Sequence, residues 1–251
     1  MSNYGIQNEY DFVELFNNKK YDELDSNSKK FIKDLYGDII DLNSMIYSWK
    51  NNMVQKTDIF IKYKGYIKRI SLKCGNSNSV HHEQLQEFII FLKKLDVSKD
   101  LISKYVSYHY GYMRDNNGII NINKKLSSET YKSIYQSEIT ELNIFLNNTK
   151  IIIEMVDRFI IKGRNSEYEI DALVCGKTDD YVWIKKYDIY DLILSMRSIN
   201  YKSPHISCLT IGPKKRNLNG DSKNWKEKYI VCIRWNFIKE QISNFKESNR
   251  G

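Results

Sequence analysis

The dipeptide Lys64-Gly65 sits between two runs of alternating character, DIFIKY (58–63) and YIKRISLK (66–73). A two-residue loop with glycine in its second position closes such runs into an antiparallel hairpin. Counting outward from the loop sets Tyr63 opposite Tyr66, Phe60 opposite Arg69 and Asp58 opposite Ser71. Strand side chains alternate between faces, so Asp58, Ser71 and Lys73 share one face and Ile59, Ile70 and Leu72 the other. An acid and a lysine thus stand diagonally on a strand pair. Exposed ion pairs have the same pattern and contribute little stability, so the neighbours decide what the pair means.

Lys73 leads into CGNSNSVHHE (74–83), whose small residues and glycine leave backbone accessible. Ser77, Asn78 and Ser79 offer N-caps for a helix over about 80–95, with Leu85, Phe88, Ile89 and Leu92 along one stripe. That helix would open with His81, His82 and Glu83, and would carry Glu87 one turn later, roughly 6 Å along the axis. Toward the N-terminus, residues 6–17 read as a helix in which Glu9 falls on the stripe of Phe12, Val13 and Phe16. A carboxylate on an apolar stripe needs a partner if it is buried, whereas in a first turn it simply complements the helix dipole.

Elsewhere, residues 27–48 and 127–147 suggest helices, as does 187–198. IIIEMVDRFII (151–161), EIDALVCG (169–176), YVWIKK (181–186), HISCLTIG (205–212) and KYIVCIRWNF (228–237) are strand-like. Helices and strands mix without strict alternation, which predicts an α/β fold with a mixed sheet. No composition break divides the 251 residues, so a single domain is expected.

Apolar residues make up 41% of the chain, which excludes disorder, and no apolar run approaches the ~20 residues that span a bilayer. The first residues lack the basic and apolar regions of a signal peptide. The four cysteines, Cys74, Cys175, Cys208 and Cys232, form no paired motif. A cytoplasmic protein with no membrane association is expected.

The net charge of +8 favours a polyanionic partner. Basic residues concentrate in GPKKRNLNGDSKNWKEK (212–228), where Lys214, Lys215, Arg216, Lys223 and Lys226 suit phosphate contacts. His82 is a further candidate for phosphate. YVSYHYGYMRDNNG (105–118) offers aromatic rings for stacking or packing. Asp171 precedes Lys185 much as Asp58 precedes Lys73, but Trp183 occupies the intermediate position and is expected in the core.

Together, Glu9 on a first helix, Asp58 on a strand and Ser71-Leu72-Lys73 on the next strand resemble the PD-(D/E)XK nuclease superfamily, which includes type II restriction enzymes and archaeal Holliday-junction resolvases. The resemblance covers roughly residues 5–95. The twelve residues between Asp58 and Ser71 resemble the resolvase branch. Ser71 stands where the family has an acid, and Thr57 where it has proline. Some restriction enzymes with serine there take the missing carboxylate from the following helix; Glu87, with thirteen residues between it and Lys73, resembles that arrangement, and Glu83 lies nearer the turn.

The resemblance implies a restriction-endonuclease-like mixed central sheet flanked by helices, with additional C-terminal strands. It also implies a nuclease core over about 5–110 and an accessory, substrate-binding part over about 111–251. By the same token Glu9, Asp58 and one of Glu83 and Glu87 would bind Mg²⁺, with Mn²⁺ as substitute, and Lys73 would serve the attacking water. The expected activity is cleavage of double-stranded DNA by a restriction or defence nuclease, for which the resemblance implies a homodimer, or by a resolvase-like enzyme. The contrasting expectations are a catalytically inactive nucleic-acid binder on the same fold and a protein in which the Asp58/Lys73 pair is structural.

Overall fold

The computed structural model describes residues 3–53, 55–74, 79–115, 117–164, 167–215 and 224–249. The chain runs α1 (Asn3–Phe16), β1 (Lys19–Lys20), α2 (Ser26–Tyr36), β2 (Met45–Lys50), β3 (Ile59–Tyr63), β4 (Tyr66–Lys73) and β5 (Ser79–Gln84). It continues through α3 (Leu85–Lys94), α4 (Lys99–Tyr110), β6 (Tyr112–Arg114), β7 (Ile120–Lys125), α5 (Ser128–Ile134), α6 (Gln136–Leu146) and α7 (Thr149–Val156). Then come β8 (Ala172–Lys177), β9 (Asp180–Lys185), α8 (Lys186–Ser195), β10 (His205–Ile206), β11 (Leu209–Pro213), β12 (Ile230–Trp235) and α9 (Ile238–Ser248). The fold is mixed α/β.

These elements form two compact units. The first comprises Met1–Asn78, Val156–Leu192 and Phe237–Gly251; the second comprises Ser79–Met155 and Ile193–Asn236. The first unit thus draws on C-terminal as well as N-terminal segments. The cause is a long-range pairing: the strand beside β4 is β8, about a hundred residues further on, so C-terminal segments complete the first unit.

The first unit holds a six-stranded sheet in the order β1-β2-β3-β4-β8-β9. β2, β3 and β4 form an antiparallel meander, β8 joins β4 in parallel, and β9 returns antiparallel. The hairpin register is the one counted from the sequence, with Tyr63 opposite Tyr66 and Phe60 opposite Arg69. Lys64 and Gly65 both take positive φ, 48° and 85°, the turn geometry that matches strand twist. Phe12 and Phe16 of α1 and Phe31 and Ile32 of α2 pack with Ile59, Ile61, Ile70, Val174 and Trp183 of the sheet. Trp183 is indeed in the core, and its indole N–H donates to Asp34 at 2.8 Å.

The second unit is built on an antiparallel sheet in the order β10-β11-β12-β5, with a separate β6–β7 hairpin. Tyr108, Tyr131 and Ile139 form a buried cluster among its helices.

Three expected elements differ. The helix expected over 27–48 ends at Tyr36, where Gly37 turns the chain at φ 61°, and the MIYSWK segment becomes β2. Residues 151–161 are helical rather than extended: Ile151, Ile152, Met155, Val156, Phe159 and Ile160 are buried at helical spacing, and α7 passes into a wider π-type turn over Asp157–Ile161. A short apolar run does not distinguish strand from buried helix. Finally, residues 79–84 form β5, so α3 begins only at Leu85. Of the caps expected there, Ser77 and Asn78 lie outside the described residues.

Candidate functional site

The antiparallel meander brings the end of β2, the start of β3 and the end of β4 to one end of the first sheet. Lys50 is opposite Ile59, and Ile59 is opposite Ile70. Asp58 precedes β3 and is fixed there because its amide donates to the Ile70 carbonyl at 2.9 Å while its own carbonyl accepts from Asn51 at 2.8 Å. Asp58 Oδ2 accepts from the Leu72 amide at 2.5 Å and from Ser71 Oγ at 3.1 Å. Lys73 Nζ lies 3.7 Å from the same oxygen and donates to Ser71 Oγ at 3.1 Å and to the Leu72 carbonyl at 2.9 Å. Ser71 is buried and so couples the acid to the lysine away from water. Asp58, Ser71 and Lys73 thus meet as the strand alternation requires.

Glu9 arrives from α1. Its Oε2 is 2.7 Å from Lys50 Nζ, and the Lys50 ammonium also lies over the Tyr10 ring, 4.9 Å from its centroid. The hydrogen bond with Glu9 is the largest influence on the Lys50 pKa and raises it; burial opposes this, and the charges of Glu9, Tyr10 and Asp58 add to the rise. One lysine therefore feels both carboxylates. Next to Glu9, the buried Asn8 donates to the Gly176 carbonyl at 3.3 Å, tying α1 to the end of β8. On β8, Cys175 stands opposite Lys73, and burial pushes its thiol up to about 11.

The sequence reading missed Lys50, because the strand that carries it was read as the tail of a helix. The alternation of Ile46 and Ser48, both buried, with exposed Tyr47 and Trp49 was the available signal.

Glu9 and Asp58 are the acids here that could hold a cation. Asp58 Oδ1 and Glu9 Oε1 accept no hydrogen bond among the described residues. Hard oxygen donors suit Mg²⁺, which commonly takes one or two carboxylates and keeps several waters. Among the described residues no group of three or more His, Cys, Asp or Glu is assembled.

The other expected site residues belong to the second unit. Glu83 lies on β5 opposite Val231, and its side chain is turned inward, 3.6 Å from His81 Nε2. Glu87 is in the first turn of α3, where an acid complements the dipole. The two glutamates therefore do not share a helix, and the one-turn spacing expected of them does not exist. The adjacent histidines point to opposite faces of β5, His81 buried and His82 exposed. His82 Nε2 lies 2.9 Å from Ser79 Oγ and 3.1 Å from Cys232 Sγ.

Lys214 and Lys215 both pair with Glu227, at 2.8 and 3.0 Å, and their hydrogen bonds hold its carboxyl below the usual range. Glu227 thus offsets one of their two positive charges within the basic run expected to contact phosphate. Lys226 lies 5.8 Å from the Trp225 ring centroid. Arg216 and Lys223 lie outside the described residues.

No protein-family model matches the chain, and no curated protein matches it. Among the described residues no helix is long and apolar enough to cross a membrane.

Proposed function

We propose that the chain is a Mg²⁺-dependent endonuclease that hydrolyses phosphodiester bonds in DNA. A cytoplasmic restriction or defence enzyme on a restriction-endonuclease-like fold is the form that best suits its resemblance. The observation that carries the reading is the meeting of Asp58, Ser71 and Lys73 around one carboxylate oxygen, at the sheet end that Glu9 reaches from α1. The mixed sheet flanked by helices supports it.

Glu9 and Asp58 would hold the ion, each with one oxygen outside the hydrogen bonds described above. The ion would supply a water nucleophile near neutral pH and offset charge on the scissile phosphate. Lys73 keeps one ammonium proton beyond its bonds to Ser71 and Leu72, and directs it to the phosphate or the attacking water. Ser71 fixes that ammonium against Asp58 and supplies no charge. Lys50 keeps Glu9 oriented and limits repulsion between the two acids. Double-stranded DNA is the substrate this reading implies, and cutting both strands would call for two copies of the chain.

The test is nicking of supercoiled plasmid by purified protein. Cleavage with Mg²⁺ or Mn²⁺, lost in EDTA and in Lys73→Ala, supports the reading; a Lys73→Ala protein that cuts at the parental rate rejects it. A second reading, an inactive nucleic-acid binder on the same fold, is favoured by the buried Ser71 in place of an acid and by the lysine already paired with each carboxylate. Such a protein would retard DNA without cutting it in any divalent metal.

A further inference from the structure

The short 3₁₀ helix Trp225–Tyr229 carries two exposed rings and two lysines in one turn. Trp225 is 41% and Tyr229 37% exposed. Their centroids are 5.8 Å apart, edge to face. Lys228 Nζ lies 5.6 Å from the Trp225 centroid and 4.9 Å from that of Tyr229, and Lys226 Nζ 5.8 Å from Trp225. Neither ammonium has a carboxylate partner among the described residues, in contrast to Lys214 and Lys215.

The turn is anchored. Buried His109 Nε2 and the Lys228 carbonyl are 2.9 Å apart, and the Tyr110 ring meets Tyr229 at 6.2 Å. Between its lysines Glu227 points the other way, holding Lys214 and Lys215.

We infer that Trp225 and Tyr229, flanked by Lys226 and Lys228, form a stacking platform for unpaired bases of a nucleic-acid strand. A base offers a π-face to a ring, and the adjacent phosphates suit the ammoniums of Lys226 and Lys228. Lys–ring contacts at an exposed site are worth only ~0.5–1 kcal/mol, so the lysines can turn to phosphate when a strand arrives. A stacked duplex hides its base faces and cannot use the rings in this way. An anionic membrane would call for an amphipathic helix with an aliphatic face, which a five-residue turn of rings and charges does not supply. The inference rests on the proposed function only in taking nucleic acid as the partner.

The experiment measures fluorescence anisotropy of labelled oligothymidylate, a matched duplex of mixed sequence and anionic vesicles, all in EDTA so that cleavage plays no part. Oligothymidylate is expected to bind more tightly than the duplex. Trp225→Ala and Tyr229→Ala should each weaken it about tenfold, the scale of one lost stacked base. Trp225→Phe should keep most of the affinity, which separates stacking from misfolding. Lys226→Ala and Lys228→Ala should each lower the log–log salt slope by about 0.7. Oligothymidylate affinity unchanged in both ring variants, or binding confined to duplex or to vesicles, overturns the inference. A protein that binds oligothymidylate through these rings but never cuts plasmid keeps this inference and loses the nuclease reading.

Discussion

Two aspartates flank β4 from opposite sides, and they use it in nearly the same way. Asp58, from the β3 side, accepts the Leu72 amide and stands near Lys73; Asp171, from the β8 side, accepts the Arg69 amide at 2.8 Å and stands 3.3 Å from Lys68. Each also donates its own amide to a β4 carbonyl, Asp58 to Ile70 and Asp171 to Arg69. An aspartate, a lysine and a strand amide are therefore a device for locking neighbouring strands, and by themselves say nothing about catalysis. What separates the two is the company. Asp58 shares its oxygen with a buried serine that also holds the lysine, and a second acid, Glu9, approaches on a separate helix. At the second occurrence of the pattern the position between the aspartate and Lys185 is filled by core Trp183, and further ion pairs join Glu169 to Lys186 and Lys162.

The sharpest way to break this comparison is to remove each carboxylate. Asp58→Ala should cut plasmid cleavage by about a hundredfold or more, the scale on which single electrostatic groups act in such sites, while Asp171→Ala leaves the rate per folded molecule unchanged. Equal losses in plasmid nicking assays would erase the distinction. Next in size is the lysine pair: Lys73→Ala should lose roughly a hundredfold in cleavage and Lys68→Ala almost nothing, with circular dichroism confirming that both variants fold.

For stability the two sites should behave alike. Either alanine variant leaves a strand amide without its acceptor, a loss of about 1–3 kcal/mol, nearer the lower figure because both carboxylates are partly exposed. Urea unfolding followed by tryptophan fluorescence would show it; a large excess at Asp58 would make that residue chiefly structural.

The smallest effect concerns pH. Glu169, beside Asp171, has its pKa lowered, first by its hydrogen bond with Lys186 and then by Lys162, against burial. A depressed carboxyl contributes stability that is present above its unfolded pKa, about 4.3, and is lost as pH falls through the lower folded value. Glu169→Gln should lower stability slightly at pH 7, converge on the parent below about pH 4, and so flatten the acid limb of the stability curve. An acid limb identical to that of the parent protein would remove the pair from the account.

Local chemistry accounts for what could be read early. The Lys64-Gly65 turn and the alternation around it determine a register, and register alone puts Asp58, Ser71 and Lys73 on one face. Glu9 was visible because a helical stripe is a pattern of near neighbours. Other features depend on partners far away in the chain. MIYSWK is a strand because it pairs with β3, and nothing within it rules out a helix end. Residues 79–84 become a strand only against β12, some 150 residues later, and that pairing carries Glu83 away from any helix and turns it toward His81.

By itself, then, the sequence determined the hairpin, its face and the carboxylate–lysine pair, since each follows from spacings of a few residues. The tertiary structure decided the rest. It set β8 beside β4, gave Glu9 to Lys50, paired Lys214 and Lys215 with Glu227, and left Lys226 and Lys228 against exposed rings. The physical reason is that charge compensation and strand pairing are properties of neighbours in space, and a lysine reads the same in sequence whether or not a glutamate folds against it.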